Sequence, residues 1–121
     1  FGGQPDVLRH LIALGAPEIG VFIDTAWCMQ IGPYHGNPLA WAREFAGHIT
    51  GVHYKDFLFE PNGQWKDVVV GTGNLDLPGF VQALDEGGFD GVAVIEYEAD
   101  VENPAPALKR CVDSMRMLLK K

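Results

Sequence analysis

The sequence has few of the features that mark several protein classes. Its two cysteines, Cys28 and Cys111, lie far apart and outside any CxxC motif, so no disulfide framework is expected. No apolar run reaches the roughly 18 residues that cross a bilayer. Nine basic residues against sixteen acidic ones give a net charge of −7, a sign that repels phosphate backbones and anionic lipid. We therefore expect a cytoplasmic protein with neither nucleic acid nor membrane as a partner.

The remaining composition is that of a globular protein, with 47% hydrophobic and 21% charged residues among 121. Helical and strand-like segments alternate along it, as in parallel sheets with crossover helices. The helices are expected over 4–15, from Pro38 after an Asn37 cap, from an Asp76 cap to about Glu86, and from about Pro106 to Leu119. The strands are expected over 20–25, 49–56, 68–70 and 91–98. Four parallel strands in one domain, residues 1–121, indicate half of a (β/α)8 barrel or a small open α/β sheet.

Polar side chains follow apolar runs at the ends of three of these strands. Asp24 ends the first, His53 with Lys55 ends the second, and Glu96 with Glu98 ends the last. In parallel α/β folds the carboxyl ends of the strands form the active face. Two carboxylates and an imidazole suit Mn²⁺, Co²⁺, Zn²⁺ or Mg²⁺. Each residue alone is better explained by a helix cap or a satisfied polar group, whereas three at equivalent positions make a metal site an equal alternative.

Gly71-Thr72-Gly73 follows the predicted third strand and allows two interpretations. Glycines let backbone N–H groups approach an anion, so the segment could bind a phosphate. It is equally well explained as a tight turn into the helix that Asp76 caps.

Four blocks at these positions resemble the xylose-isomerase-like TIM-barrel superfamily. They are residues 20–25 (GVFIDT), 51–56 (GVHYKD), 71–76 (GTGNLD) and 89–96 (FDGVAVIE). The superfamily includes sugar isomerases, ketose 3-epimerases, inosose dehydratases and endonuclease IV. The blocks cover nearly the whole chain in the family's order and spacing. The resemblance implies the C-terminal half of such a barrel, with strands equivalent to strands five to eight.

The resemblance also implies a set of metal ligands. Members bind a divalent metal through a Glu after strand four, an Asp after strand five, a His after strand six and a Glu after strand eight. The last three match Asp24, His53 and Glu96, and the first has no counterpart here. Sugar epimerases often carry a His three residues after the strand-five Asp. This chain has Trp27 there, a ring that could stack on a sugar or simply fill space.

The chemistry implied by the resemblance acts on a hydroxy-ketone sugar or polyol. The metal polarises the carbonyl, and Glu96 moves the proton of the adjacent C–H, giving an enediolate. Lys55 would hold a substrate oxygen or steady the developing charge, and Trp27, Lys55 and Glu98 would contact the substrate. Isomerase, epimerase and dehydratase outcomes share this chemistry. The acidic composition argues against the DNA-repair branch and mildly against phosphorylated sugars.

Two alternatives remain open at this point. A non-catalytic half-barrel would leave open sheet edges and an apolar interior, and a homodimer could close the barrel and bury both. The chain could instead be a fragment of a longer enzyme, as its first residue, Phe1, allows. It would then be inactive alone, because the strand-four Glu is absent.

Overall fold

The computed structural model describes residues 3–30 and 36–120, which form five helices and five strands. The helices are α1 (Pro5–Gly15), α2 (Thr25–Met29), α3 (Pro38–Glu44), α4 (Leu77–Glu86) and α5 (Ala105–Leu119). The strands are β1 (Val21–Asp24), β2 (Ile49–Tyr54), β3 (Asp56–Phe59), β4 (Trp65–Val68) and β5 (Val92–Ile95). None of the helices in these described parts is long and apolar enough to span a bilayer.

Three of the predicted strands form one parallel sheet in the order β1-β2-β5. Asp24 is in register with His53, and His53 is in register with Val94 on β5. The ladder continues one step past β5, where the Glu96 N–H donates to the Tyr54 carbonyl. The parallel register therefore brings the carboxyl ends of all three strands to the same edge of the sheet.

The predicted fourth parallel strand, residues 68–70, is wrong. Val68 ends β4, which pairs antiparallel with β3, and Val69 and Val70 are buried without strand pairing. The reason is the short connection between β3 and β4. Its five residues turn at Gly63, whose φ is +84°, whereas a parallel crossover needs a dozen residues or more. The parallel sheet thus has three strands in the described residues, and a hairpin stands beside it.

The helix signals in the sequence are confirmed at their starts. The Asn37 side chain accepts a hydrogen bond from the Ala40 N–H and caps α3. The Asp76 side chain accepts one from the Gly79 N–H and caps α4. The five-residue helix α2 was not predicted, and its cap is Asp24 itself, which accepts from the Trp27 N–H at 2.8 Å.

The core lies on one face of the parallel sheet only. Four strand residues point into this core and pack with the helices: Val21, Ile23, Val52 and Tyr54. The ring of Tyr54 contacts that of Phe80 on α4 edge-on, with the ring centroids 5.9 Å apart. The opposite face carries the alternate residues of the strands. Among them the apolar side chains of Phe22, Val92 and Val94 are exposed, so half of the sheet has no cover within the described chain.

Asp56 fastens the hairpin to the segment before α4. Its buried carboxylate accepts hydrogen bonds from the N–H groups of Gly71, Gly73 and Leu75 at 2.8–3.0 Å. A Cβ at Gly73 would lie 2.6 Å from the Asp56 Oδ1, so only glycine fits this close approach. The N–H groups of Gly71 and Gly73 already bind a carboxylate of the chain itself. The segment is therefore a turn, and the phosphate interpretation is wrong.

Asp56→Asn should destabilise the chain by about 2 kcal/mol, because an amide NH₂ would face N–H donors that now share two carboxylate oxygens. Chemical denaturation followed by far-ultraviolet circular dichroism measures the free energy of unfolding. The matched control is Asp90→Asn, the same change at an exposed position. Equal stabilities for the two variants would contradict this account of the turn.

Candidate metal centre

The sheet register brings Asp24, His53 and Glu96 together. Asp24 and His53 end their strands side by side, and Glu96 follows β5 on the same face of the sheet as His53 and Val94. His53 Nδ1 lies 2.6 Å from Glu96 Oε2 and 3.6 Å from Asp24 Oδ2. One ligand atom from each residue lies within 4.8 Å of the other two. All three side chains are partly exposed, so the cluster is open to small molecules.

Asp24 carries out two tasks with its two oxygens. Oδ1 caps α2 through the Trp27 N–H, while Oδ2 faces His53. Burial and the nearby charge of Glu96 raise the pKa of Asp24, although the Trp27 hydrogen bond opposes that shift. The ionised form of Asp24 is thus costly where it stands. A neighbouring positive charge would lower that cost.

Lys55 has no exposed side-chain surface and is surrounded by carboxylates. Its Nζ lies 2.7 Å from Glu98 Oε2, 2.9 Å from Asp67 Oδ2 and 3.1 Å from Glu96 Oε1. Burial lowers the pKa of Lys55, but the hydrogen bonds to Glu98, Asp67 and Glu96 outweigh burial and raise the pKa overall. Lys55 is therefore a permanent cation at the site.

Thr25 and Asp67 are site residues that the sequence analysis missed. The buried Thr25 hydroxyl accepts from the Lys55 N–H at 3.0 Å and donates to the Lys55 carbonyl, which joins α2 to the end of β2. Asp67 reaches Lys55 from β4 and also accepts from the Glu98 N–H at 2.8 Å. Thr25 could have been suspected from its place directly after Asp24. Asp67 carried no such signal, because its hairpin was not predicted.

Trp27 lies beside this cluster in a group of aromatic rings. The centroid of its ring lies 5.1 Å from that of Phe57 and 6.0 Å from that of Trp65, and both contacts are edge-on. The centroid of the Phe57 ring also lies 5.9 Å from the Lys55 Nζ atom. Trp27 and Trp65 remain partly exposed, as does Glu98, so a small molecule can reach all three side chains.

The charges around the cluster do not balance among the described residues. Asp24, Asp67, Glu96 and Glu98 supply four carboxylates, and Lys55 supplies one permanent positive charge. The Asp67 Oδ1 atom is buried without a hydrogen-bond partner. Two carboxylates and one imidazole, converging within a few ångströms amid excess negative charge, fit a divalent cation that takes mixed oxygen and nitrogen ligands.

Comparison with known proteins agrees with this architecture. A family model described as xylose isomerase-like TIM barrel matches residues 2–121. The L-ribulose-5-phosphate 3-epimerase UlaE of Salmonella typhi is 30% identical over 102 residues, which are 78% of this chain and 35% of that protein. The same enzyme of Salmonella paratyphi A is 29% identical over 108 residues, 83% of this chain and 37% of that protein. The chain thus spans about a third of the length of these curated relatives.

Solved structures show the same fold. A xylose isomerase domain protein from Planctomyces limnophilus superposes with a TM-score of 0.72 at 24% identity, over 93% of this chain and 41% of that one. The IOLI protein with a bound zinc atom superposes with a TM-score of 0.73 at 19% identity, over 96% of this chain and 43% of that one. A D-allulose 3-epimerase from Methylomonas sp. superposes with a TM-score of 0.68 at 16% identity, over 94% of this chain and 42% of that one. Each match covers less than half of the neighbouring chain.

Proposed function

The chain belongs to the family of xylose isomerase-like TIM barrels, and on that basis we propose that it forms part of a divalent-metal-dependent isomerase, epimerase or dehydratase site for sugars or polyols. The observation that carries the proposal is the convergence of Asp24, His53 and Glu96 on the open face of the sheet. Two curated relatives act, by name, on a ketose phosphate, and one structural neighbour binds zinc.

The proposed metal ligands are Asp24 Oδ2, His53 Nδ1 and Glu96 Oε2, with Mn²⁺, Co²⁺, Zn²⁺ or Mg²⁺ as the ion. The donor set and the excess of carboxylates support this assignment. A divalent ion at this place supplies Lewis acidity, which polarises a substrate carbonyl and makes the adjacent C–H acidic.

Glu96 is the proposed proton-transfer group. Its Oε2 faces His53 and its Oε1 faces Lys55, so both oxygens are oriented before a substrate arrives. Removal of the proton next to the carbonyl gives an enediolate, and Glu96 returns the proton to another position or face. The Lys55 ammonium, 3.1 Å from Glu96 Oε1, places a positive charge beside the site, and this charge favours the negative enediolate. Whether Lys55 also touches the substrate stays a prediction.

The substrate contacts are proposed on the partly exposed border of the cluster. Trp27 offers an apolar ring for the C–H face of a sugar or polyol, and the Glu98 carboxylate, 62% exposed, offers an acceptor for hydroxyl groups. A cytoplasmic location and the absence of nucleic acid and membrane partners remain predictions from composition.

The share of the relatives that this chain covers favours a second candidate. At 35% of the length of UlaE, the chain could serve as the metal-binding part of a longer barrel or as a non-catalytic half-barrel. The family's strand-four Glu ligand, which has no counterpart here, would then come from elsewhere, and isolated residues 1–121 would bind the ion without turnover.

A homodimer is the proposed cover for the open sheet face. Phe22, Val92 and Val94 are exposed there beside the Asp24–His53–Glu96 cluster. A twofold axis would set the same face of a second copy against them, and burial of apolar surface would drive the association.

The metal-free chain should bind about one Mn²⁺ or Zn²⁺ per copy in isothermal titration calorimetry. Mutating a residue that merely holds a ligand in place lowers metal affinity about 10- to 100-fold, so mutating a ligand itself should lower the affinity at least as much. His53→Ala and Asp24→Asn test this, and the Asn variant keeps an oxygen to cap α2. His48→Ala, at an exposed position, is the control and should bind normally. Unchanged affinity in both ligand variants would refute the assigned site.

The metal-loaded chain should catalyse exchange of the C–H next to the carbonyl of a ketose with deuterium from D₂O, detected by proton NMR. The panel contains free ketopentoses, free ketohexoses and a ketopentose 5-phosphate. Glu96→Gln should abolish the exchange, because the amide has no basic oxygen, whereas His48→Ala should retain it. Tight metal binding without exchange on any of these sugars would select the second candidate function.

Light scattering coupled to size exclusion should give twice the chain mass of 13.2 kDa. Val92→Asp should shift the protein to monomer, because it places a charge on the open face of the sheet. Val101→Asp is the matched control, since Val101 is exposed outside the sheet. A wild-type chain that is monomeric at tens of micromolar would exclude the homodimer.

A further inference from the structure

Asp67 reaches the candidate site from outside the parallel sheet. It lies on β4, in register with Phe57 on β3. Its Oδ2 lies 2.9 Å from the Lys55 ammonium and accepts from the Glu98 N–H at 2.8 Å. One carboxylate oxygen therefore ties the hairpin to the end of β2 and to the segment after β5.

The Lys55 ammonium has three carboxylate neighbours: it donates hydrogen bonds to Glu96 and Glu98 and forms an ion pair with Asp67. Of the three, Glu98 is 62% exposed, Glu96 is 27% exposed and Asp67 is 10% exposed. Solvent screens the pair with Glu98 most and the pair with Asp67 least. Asp67 is consequently the counter-charge whose attraction for the ammonium is weakened least by solvent.

The position of Lys55 in turn determines the orientation of Glu96. Lys55 holds Glu96 Oε1 at 3.1 Å, while His53 Nδ1 holds Oε2 at 2.6 Å. If Lys55 lost its partner on the hairpin, its ammonium would be freer to move toward Glu96 and compete for the carboxylate. A cation that needs Glu96 as a ligand would then bind less tightly.

The fold uses one oxygen of Asp67, the Oδ2 atom that faces Lys55 and Glu98. Oδ1 is buried and has no hydrogen-bond partner among the described residues. A buried carboxylate with one unsatisfied oxygen is unfavourable for folding, and costs of this kind concentrate at functional sites.

We propose that Asp67 is a positioning residue for the metal centre: by neutralising Lys55 it keeps the Glu96 carboxylate available to the ion. The proposal rests on the proposed function, because it assigns Asp67 a role toward the same ligand. It gives the hairpin a role in the site although it contributes none of the three ligands.

The test is a double-mutant cycle on Mn²⁺ affinity in the full chain. Asp67→Asn should weaken binding about tenfold, the scale found for residues that hold a ligand in place. In a Lys55→Met background the same change should have no further effect, because Asp67 acts through Lys55. The control Asp113→Asn removes the partner of Lys109 on the surface of α5 and should leave affinity within twofold.

Each other result of the cycle overturns the proposal. An Asp67→Asn effect that persists in the Lys55→Met background would mean that Asp67 acts on the ion directly by its charge. Affinity within twofold of wild type in Asp67→Asn would remove the role altogether. Thermal melting of every variant in the metal-free state separates these results from a general loss of folding.

A second measurement keeps the proposal testable if Lys55→Met does not fold or the wild-type chain binds no metal. In the metal-free ¹⁵N-labelled protein, the buried Lys55 ammonium should give a slowly exchanging signal, identified by its loss in Lys55→Arg. Asp67→Asn should speed that exchange at least severalfold, whereas Asp113→Asn should not. An unchanged rate overturns the proposal. A wild-type chain that binds no metal but shows the protected signal refutes the proposed metal site and leaves the Asp67–Lys55 link standing.

Discussion

The buried ammonium of Lys55 is the interaction on which the rest of this site depends. Its carboxylate neighbours come from two places: β4 supplies Asp67, and the segment after β5 supplies Glu96 and Glu98. Removing a lysine from water is unfavourable unless opposite charges surround its ammonium, and here three carboxylates do. The hairpin, the end of β2 and the segment after β5 are thereby fixed relative to one another through a single nitrogen atom.

Much of the site could be predicted because parallel sheets align the ends of their strands. An apolar run that ends in Asp24 and another that ends in His53 place these side chains next to each other once the register is set. Glu96 follows for the same reason, one step beyond β5. The helix caps Asn37 and Asp76 could also be predicted, because each side chain binds an N–H group only three residues further along the sequence.

The hairpin and its contribution could not be predicted from the same rules. Residues 49–56 were expected to form one strand, so the separate strand that begins at Asp56 was not predicted. Val68-Val69-Val70 resembled a strand of its own, because β-branched runs favour strands without specifying a partner. The roles of Asp67 and Thr25 depend on contacts between segments 12 to 31 residues apart, and no local pattern carries that information.

The open face of the sheet combines exposed apolar surface with an excess of negative charge. Phe22, Val92 and Val94 leave apolar surface exposed, and the carboxylates beside them exceed the positive charges of the described site. An apolar cover lowers the local dielectric and so raises the cost of that excess charge. A bound cation reduces the cost and makes the cover easier to add. Metal binding and closure of the barrel should therefore favour each other, whether a second copy or a longer chain provides the remaining strands.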